Sequence, residues 1–262
     1  MSIKIYQVDA FCRELFSGNP AAVCPLGSWP ADSLLQSIAA ENNLAETAFY
    51  VAEGGRYHLR WFTPTVEVDL CGHATLATAH VLFEHEGHDG DRIVFMSRSG
   101  ELIVDKRDGL LHLNFPADTL RQVEVTPEMM CWFPESPAPR EAYKGRSDYM
   151  LVFDSEALIA GLAVDLSKLG KADARGVIVT ARGGSVDFVS RFFAPQSGIA
   201  EDPVTGSAHT TLVPYWGRVL GKSQLTAMQL SARKGYLQCR DLGERVEISG
   251  IAKTYMEGRL LF

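Results

Sequence analysis

The strongest constraint on how this chain can fold is that it repeats itself. Arg60-Trp61-Phe62-Thr63-Pro64 returns as Arg191-Phe192-Phe193-Ala194-Pro195, 131 residues later and half-way along a chain of 262. An alternating run precedes each copy, Tyr57-His58-Leu59-Arg60 and Val186-Asp187-Phe188-Val189. A glycine step into an apolar run follows each copy, Cys71-Gly72-His73-Ala74 and Thr205-Gly206-Ser207-Ala208, now 134 apart. Gly100-Glu101-Leu102 and Gly235-Tyr236-Leu237 are 135 apart. Chance similarity does not hold register over such a span, so the chain reads as a duplicated unit. Two similar lobes follow, 1–117 and 118–249, with the boundary inside Pro116–Thr126 and a cleft expected between them.

Each lobe reads as strands around one helix, an α+β arrangement. In the first, 3–10, 21–25, 46–52, 56–63, 92–96, 100–105 and 110–115 carry strand patterns. Pro30 to Asn43 reads as an outer amphipathic helix. Ala74–Phe83 is apolar on nearly all sides, which predicts a buried inner helix. The second lobe repeats this with an inner helix from Ser207 to about Leu220, stopped by Gly221 and kinked at Pro214. The turn-rich stretch 131–148, CWFPESPAPREAYKGRSD, is expected to be a loop.

Composition narrows the partners. Net charge is −7, and no run of Lys and Arg exceeds two residues, so neither nucleic acid nor an anionic membrane suits this chain. No apolar stretch reaches the length of a transmembrane helix. MSIKIYQVDAF alternates like a strand and lacks a signal peptide's order of basic then apolar residues. The five cysteines are odd in number and form no CxxC, which fits buried free thiols in a reducing cytoplasm.

The chemistry is expected at the two inner helix starts. A helix N-terminus offers unpaired N–H groups and partial positive charge, and glycine there lets an anion come close. Gly72-His73 and Gly206-Ser207 are thus matched donors for a carboxylate, with Asp202 just ahead of the second pair. The simpler reading is that glycine and serine merely make good helix starts. The paired occurrence favours the anion reading.

At this point the residues resemble a family. Ser17-Gly18-Asn19-Pro20-Ala21-Ala22-Val23, Ala45-Glu46-Thr47-Ala48-Phe49, Cys71-Gly72-His73-Ala74-Thr75, Glu201-Asp202-Pro203-Val204-Thr205-Gly206-Ser207-Ala208-His209 and Tyr255-Met256-Glu257-Gly258 together are similar to the PhzF-type phenazine-biosynthesis isomerases. The resemblance spans essentially the whole chain. It implies the diaminopimelate epimerase-like fold, two pseudo-symmetric lobes with a strand barrel around a central helix in each. It also implies that 250–262 returns to the first lobe, and that the protein is a homodimer. The implied activity is isomerisation of a small carboxylate-bearing substrate without cofactor. Carried over by motif, Glu46 is the proton carrier, and His73 and Asp202 are its polar partners. Ser207 with the Gly72 and Gly206 amides lines the substrate site, and Asn19 helps to orient it.

Each assignment has a plainer rival. Glu46 could be an exposed strand-end glutamate, His73 a core histidine, Asp202 a neighbour of a helix cap. Glu201 is expected to face solvent and His209 only to pack. His80, His85 and His88 crowd a helix end, but their spacing matches no standard metal set. Two alternatives stay open for the whole chain. One is an epimerase or racemase of the same fold; its two-thiol form is disfavoured because the repeat partner of Cys71 is Thr205, leaving Cys71 as a small packed residue. The other is a binder of small metabolites or of a protein that performs no chemistry. No glycine-rich nucleotide fingerprint occurs.

Overall fold

The computed structural model describes residues 2–261. Their elements in chain order are β1 Ser2–Ala10, β2 Asn19–Leu26, α1 Asp32–Asn42, β3 Glu46–Glu53, β4 Arg56–Phe62, β5 Glu67–Val68, α2 Gly72–Glu84, β6 Arg92–Ser97, β7 Gly100–Arg107, β8 Leu110–Pro116 and β9 Arg121–Val123. There follow α3 Pro127–Cys131, β10 Glu141–Lys144, β11 Asp148–Val152, α4 Glu156–Gly161, α5 Leu166–Leu169, β12 Gly176–Arg182, β13 Phe188–Phe193, α6 Gly206–Leu220, β14 Gln224–Gln229, β15 Gly235–Asp241, β16 Arg245–Gly250 and β17 Ala252–Leu261. One compact unit is the chain up to Asn114 together with the chain from Ser249 on; the other is Phe115–Ile248.

In the first unit β2 runs parallel to β3, β3 antiparallel to β4, β4 parallel to β6 and β6 antiparallel to β7. In the second unit β11 runs parallel to β12, β12 antiparallel to β13, β13 parallel to β14 and β14 antiparallel to β15. The two successions are the same, so the sequence repeat is a repeat of topology. The last strand, β17, pairs antiparallel with β1 from Ser2↔Leu261 to Ala10↔Ala252 and so belongs to the first unit.

Side chains alternate between the two faces of each strand, and in both units helices cover apolar faces. In the first unit Leu35, Ile38 and Ala39 of α1 pack with Ile3, Ile5, Ala22, Cys24, Phe49 and Phe62. The inner helix α2 is buried from His73 through Ala79 and again at Val81 and Leu82, as a helix apolar all round must be. In the second unit α3, α4 and α5 supply Met129, Ile159 and Leu169 against Val177, Val179, Val189 and Phe193.

The repeated Arg-aromatic-Phe triplet has a structural meaning. Arg60 lies over the Phe62 ring and forks onto Glu67 at 2.7 and 2.8 Å. Arg191 lies over the Phe193 ring and forks onto Glu201 at 2.7 and 3.0 Å. In each unit this clamp ties the central strand to the segment ahead of the inner helix. Glu201 is therefore an ion-pair partner rather than a solvent-facing acid, because the repeat gives it the place of Glu67.

Three further expectations change. The stretch 131–148 is not all loop: β10 lies within it, held between β9 and β11 through Ala142↔Val123 and Ala142↔Leu151. Strand pairing on both sides overrides its turn-rich composition. Cys131 is exposed, unlike the other four cysteines, because it ends the one-turn helix α3. Pro214 does not interrupt α6, which is assigned as one helix from Gly206 to Leu220. A proline leaves the carbonyl four residues back without its helical donor. Here the Asp118 N–H donates to the Thr210 carbonyl at 3.1 Å and fills that gap.

Candidate functional site

Glu46 is the first residue of β3, opposite Ala21 of the parallel strand β2. Asn19 is the first residue of β2, and His73 lies in the first turn of α2. The fold brings these three together in the first unit, and all are buried. His73 Nε2 stands 3.1 Å from Glu46 Oε2. The approach is off the line of a good hydrogen bond, and neither atom has another partner among the described residues. On the other side of the ring, Nδ1 lies 3.2 Å from Asn19 Nδ2 and 3.5 Å from Cys71 Sγ. The ring's hydrogen-bond contacts are thus at Nδ1, while Nε2 faces the carboxylate without one.

Burial alone would push the His73 imidazolium down. The net shift is well up, because negative charge on Cys71 and Glu46 favours the cation. Burial pushes the Cys71 thiol up to about 11, so that thiol is neutral near pH 7. The Glu46 carboxylate is the charge that acts on His73 there. A buried carboxylate and a buried imidazole ring thus face each other with no other partner for either facing atom among the described residues.

Both inner helices begin without a side-chain cap. Cys71 and Thr205 occupy the cap positions with extended backbones, and neither makes a capping hydrogen bond. Among the described residues the N–H groups of Gly72, His73, Gly206 and Ser207 find no acceptor. Two open helix starts carry donors and partial positive charge suited to an acidic oxygen.

Asp202, Gly206 and Ser207 gather around the start of α6 in the second unit. Asp202 is buried, and its Oδ2 accepts from Thr205 Oγ1 at 2.6 Å. The fully buried Gln229 braces this corner. Its Nε2 donates to the Asp202 carbonyl at 2.7 Å and to Thr205 Oγ1 at 3.1 Å, and its Oε1 accepts from the Thr205 N–H at 2.9 Å. Ser207 Oγ accepts from Arg175 Nη2 at 3.0 Å. Sequence patterns did not single out Gln229 or Arg175. Each lies more than twenty residues from its partners, outside any motif.

His209 does pack: it is fully buried and its Nδ1 donates to the Thr205 carbonyl at 2.8 Å. Burial pushes it down to about 4, so it is neutral. His80 and His85 share the Thr254 hydroxyl, and His88 meets Tyr57 OH and the Arg92 carbonyl. Cys71 is buried as expected, yet it also touches His73, which places it within the cluster.

Glu46, Cys71 and His73 offer one donor atom each within 4.8 Å of one another, a mixed set of the kind zinc uses. The carboxylate, however, stands at Nε2 and the thiol at Nδ1. No single ring nitrogen has both the carboxylate and the thiol as its near neighbour. The arrangement fits proton chemistry better than a tetrahedral ion.

Comparison with known proteins agrees with this architecture. A family model described as phenazine biosynthesis-like protein, PhzC-PhzF, matches residues 8–258. An uncharacterized isomerase of Pseudomonas aeruginosa is 53% identical, with 99% of each chain covered. A PhzF-family crystal structure from Enterococcus faecalis superposes with a TM-score of 0.97 at 47% identity, covering 100% of each chain. A predicted epimerase of Pseudomonas aeruginosa, 18% identical with a TM-score of 0.75 over 99% of each chain, shares the fold. No described helix is long and apolar enough to cross a membrane. With its family model, its relatives and its fold in agreement, the chain belongs to the phenazine biosynthesis-like, PhzC/PhzF, family.

Proposed function

We propose that this protein is a cofactor-independent isomerase that moves a proton on a small carboxylate-bearing metabolite, with Glu46 as the proton carrier. The observation that carries the reading is the buried pair of Glu46 and His73, 3.1 Å apart with no competing partner for either facing atom. Glu46 removes a proton from a substrate carbon and returns it at another. His73, held cationic by the carboxylate, loses its counter-charge when Glu46 takes up the substrate's proton. It can then donate toward the electron-rich intermediate. Asn19 helps to orient the substrate, Asp202 is a polar partner in the reaction, and the Gly72, Gly206 and Ser207 donors receive acidic oxygens. No metal takes part in this scheme. The reading extends to a homodimer, on family resemblance, and to the cytoplasm, on the unpaired cysteines.

Phenazine chemistry supplies the first substrate to try, trans-2,3-dihydro-3-hydroxyanthranilate, followed by proton NMR in D₂O. Wild type should isomerise it, and Glu46→Gln should not. Equal turnover by both proteins would remove Glu46 from the role. No exchange by either would remove this substrate and direct the assay to other small carboxylic and amino acids.

A further inference from the structure

The repeat sets the starts of the two inner helices in correspondence, residue by residue. Thr47 lies opposite Phe62 and Val177 opposite Phe193, and these phenylalanines close the repeated triplet. Glu46 of the first unit therefore corresponds to Gly176 of the second, and His73 to Ser207. Gly176 leaves no room for an acid, since a Cβ there would lie 2.5 Å from the Phe192 ring. Where His73 faces Glu46, its counterpart Ser207 meets the guanidinium of Arg175, next to Gly176, at 3.0 Å. The place that is acidic in the first unit is cationic in the second.

Arg175 is one wall of a recess of ≈ 580 Å³ that lies wholly within the second unit. Three connections meet there: the β10–β11 turn with Lys144, Arg146 and Ser147, the approach to β12 with Asp173 and Arg175, and the turn after β13 with Ser197. The three cations differ. Arg175 is neutralised by buried Asp148, its Nε donating to Oδ1 at 2.9 Å and its Nη2 to Oδ2. Arg146 has its Nε 3.8 Å from Asp118 Oδ1, too far for a hydrogen bond, and its side chain is 66% exposed. Lys144 Nζ donates to the Asp173 carbonyl and lies over the Tyr149 ring, and no carboxylate pairs with it among the described residues. The exposed side chains of Ser147 and Ser197 line the same recess, and against these donors stands one carboxylate in the lining, exposed Asp173.

Two incompletely neutralised cations with two hydroxyls suit a compact dianion. Lysine serves phosphate as a point charge and arginine as a fork of donors. A phosphate would fill only part of the recess, leaving space for the carbon skeleton that bears it.

We propose that this recess binds the phosphate of a phosphate monoester, through Lys144 and Arg146 with the Ser147 and Ser197 hydroxyls, and that it receives the far end of the substrate. Phosphate binding needs the second unit alone. Its place in the substrate site rests on the reading that Ser207 lines that site, because Arg175 joins the recess to Ser207. The substrate then has a class: a small carboxylic acid that also carries a phosphate.

The test is titration of the full chain with inorganic phosphate at constant ionic strength, followed by NMR of the backbone amides. Wild type should show saturable shifts confined to 144–147, 173–176 and 196–198. Lys144→Gln and Arg146→Gln should each weaken binding about tenfold, the size of one charge-assisted hydrogen bond. Asp173→Asn should tighten it, a change of sign that lost folding does not produce. Arg240→Gln, on an exposed arginine outside the recess, should change nothing. 3-Phosphoglycerate should shift Gly206 and Ser207 together with the recess, and glycerate, which lacks the phosphate, should bind at least about tenfold more weakly.

Shifts that follow ionic strength alone, binding unmoved by Lys144→Gln and Arg146→Gln, or equal affinity for malonate would each overturn the phosphate site. Recess shifts with Gly206 and Ser207 unmoved by 3-phosphoglycerate would overturn its place in the substrate site. If phosphate binds as described while no acid, phosphorylated or not, exchanges a proton in D₂O, the proton-carrier reading fails and the phosphate site stands. If an unphosphorylated acid exchanges and phosphate does not bind, the reverse holds.

Discussion

Glu46 Oε2 and His73 Nε2 face each other at 3.1 Å, both buried, at the meeting of a strand start and a helix start. Neither residue can change its charge without changing the other's environment. Replacing the carboxylate by its amide keeps the shape and removes the charge. Glu46→Gln is expected to lower turnover by about 10²–10⁴, the usual worth of general acid–base catalysis. The same variant should lower the His73 pKa, since burial then acts on the imidazolium with its carboxylate partner gone. NMR titration of His73 in both proteins measures this; an unmoved His73 would show that Glu46 is not its counterion.

The pair also predicts a pH dependence of stability. The folded-state pKa of His73 is raised, so its stabilising effect is fully present below the unfolded value near 6.5. It is lost as pH rises through the folded value. His209 is the opposite case. Burial depresses it from 6.5 to about 4, so the folded protein resists protonating a group that the unfolded chain protonates readily. Its contribution is complete above pH 6.5 and is lost as pH falls toward 4, to a total of about 3 kcal/mol. Denaturant unfolding at intervals from pH 7 to pH 4 should show this decline, and His209→Gln should flatten it. A decline of equal steepness in the variant would assign the acid sensitivity elsewhere, for which the half-buried His80 is the next candidate.

Gln229 holds the loop that carries Asp202 by three hydrogen bonds. Removing its amide leaves the Thr205 N–H and the Asp202 carbonyl without these partners in a buried place. Gln229→Ala is expected to cost about 2–4 kcal/mol, combining a cavity with unsatisfied polar groups. Activity should fall beyond what stability explains, because Asp202 loses its fixed position. Denaturant midpoints and turnover measured on the same preparations separate the two effects. Unchanged turnover in a folded Gln229→Ala protein would detach this brace from the chemistry.

What could be read from the sequence was what repeats or what sits in a compact motif. Arg60 and Arg191 announced the duplication, and each proves to clamp a glutamate of its own unit. Glu46, His73 and Asn19 lie in separate segments but each at an element's first turn or first residue, where glycine and apolar periodicity mark the boundary. What could not be read were partnerships formed across distance by folding. Arg175 and Asp148 are 27 positions apart with nothing periodic between them. Asp118 reaches the carbonyl that Pro214 leaves open only once the chain has closed. β10 is a strand because β9 and β11 flank it, against the turn-forming residues just before and after it.

Cys71 separates the isomerase from a thiol-based epimerase. Its Sγ is 3.5 Å from His73, a distance at which an activated cysteine could hand over its proton. Yet burial holds it at about 11, and its counterpart at the second inner helix is Thr205. Thiolate chemistry at neutral pH needs the reverse shift. Cys71→Ser is therefore expected to keep turnover within about tenfold of wild type, well short of the loss general acid–base removal causes. A thiol reagent at pH 7 should label Cys131 first, the one exposed cysteine among the five, and leave turnover unchanged. If Cys71→Ser abolishes turnover while the fold persists, the thiol is a proton carrier, and Glu46 acts on it through His73 rather than on the substrate.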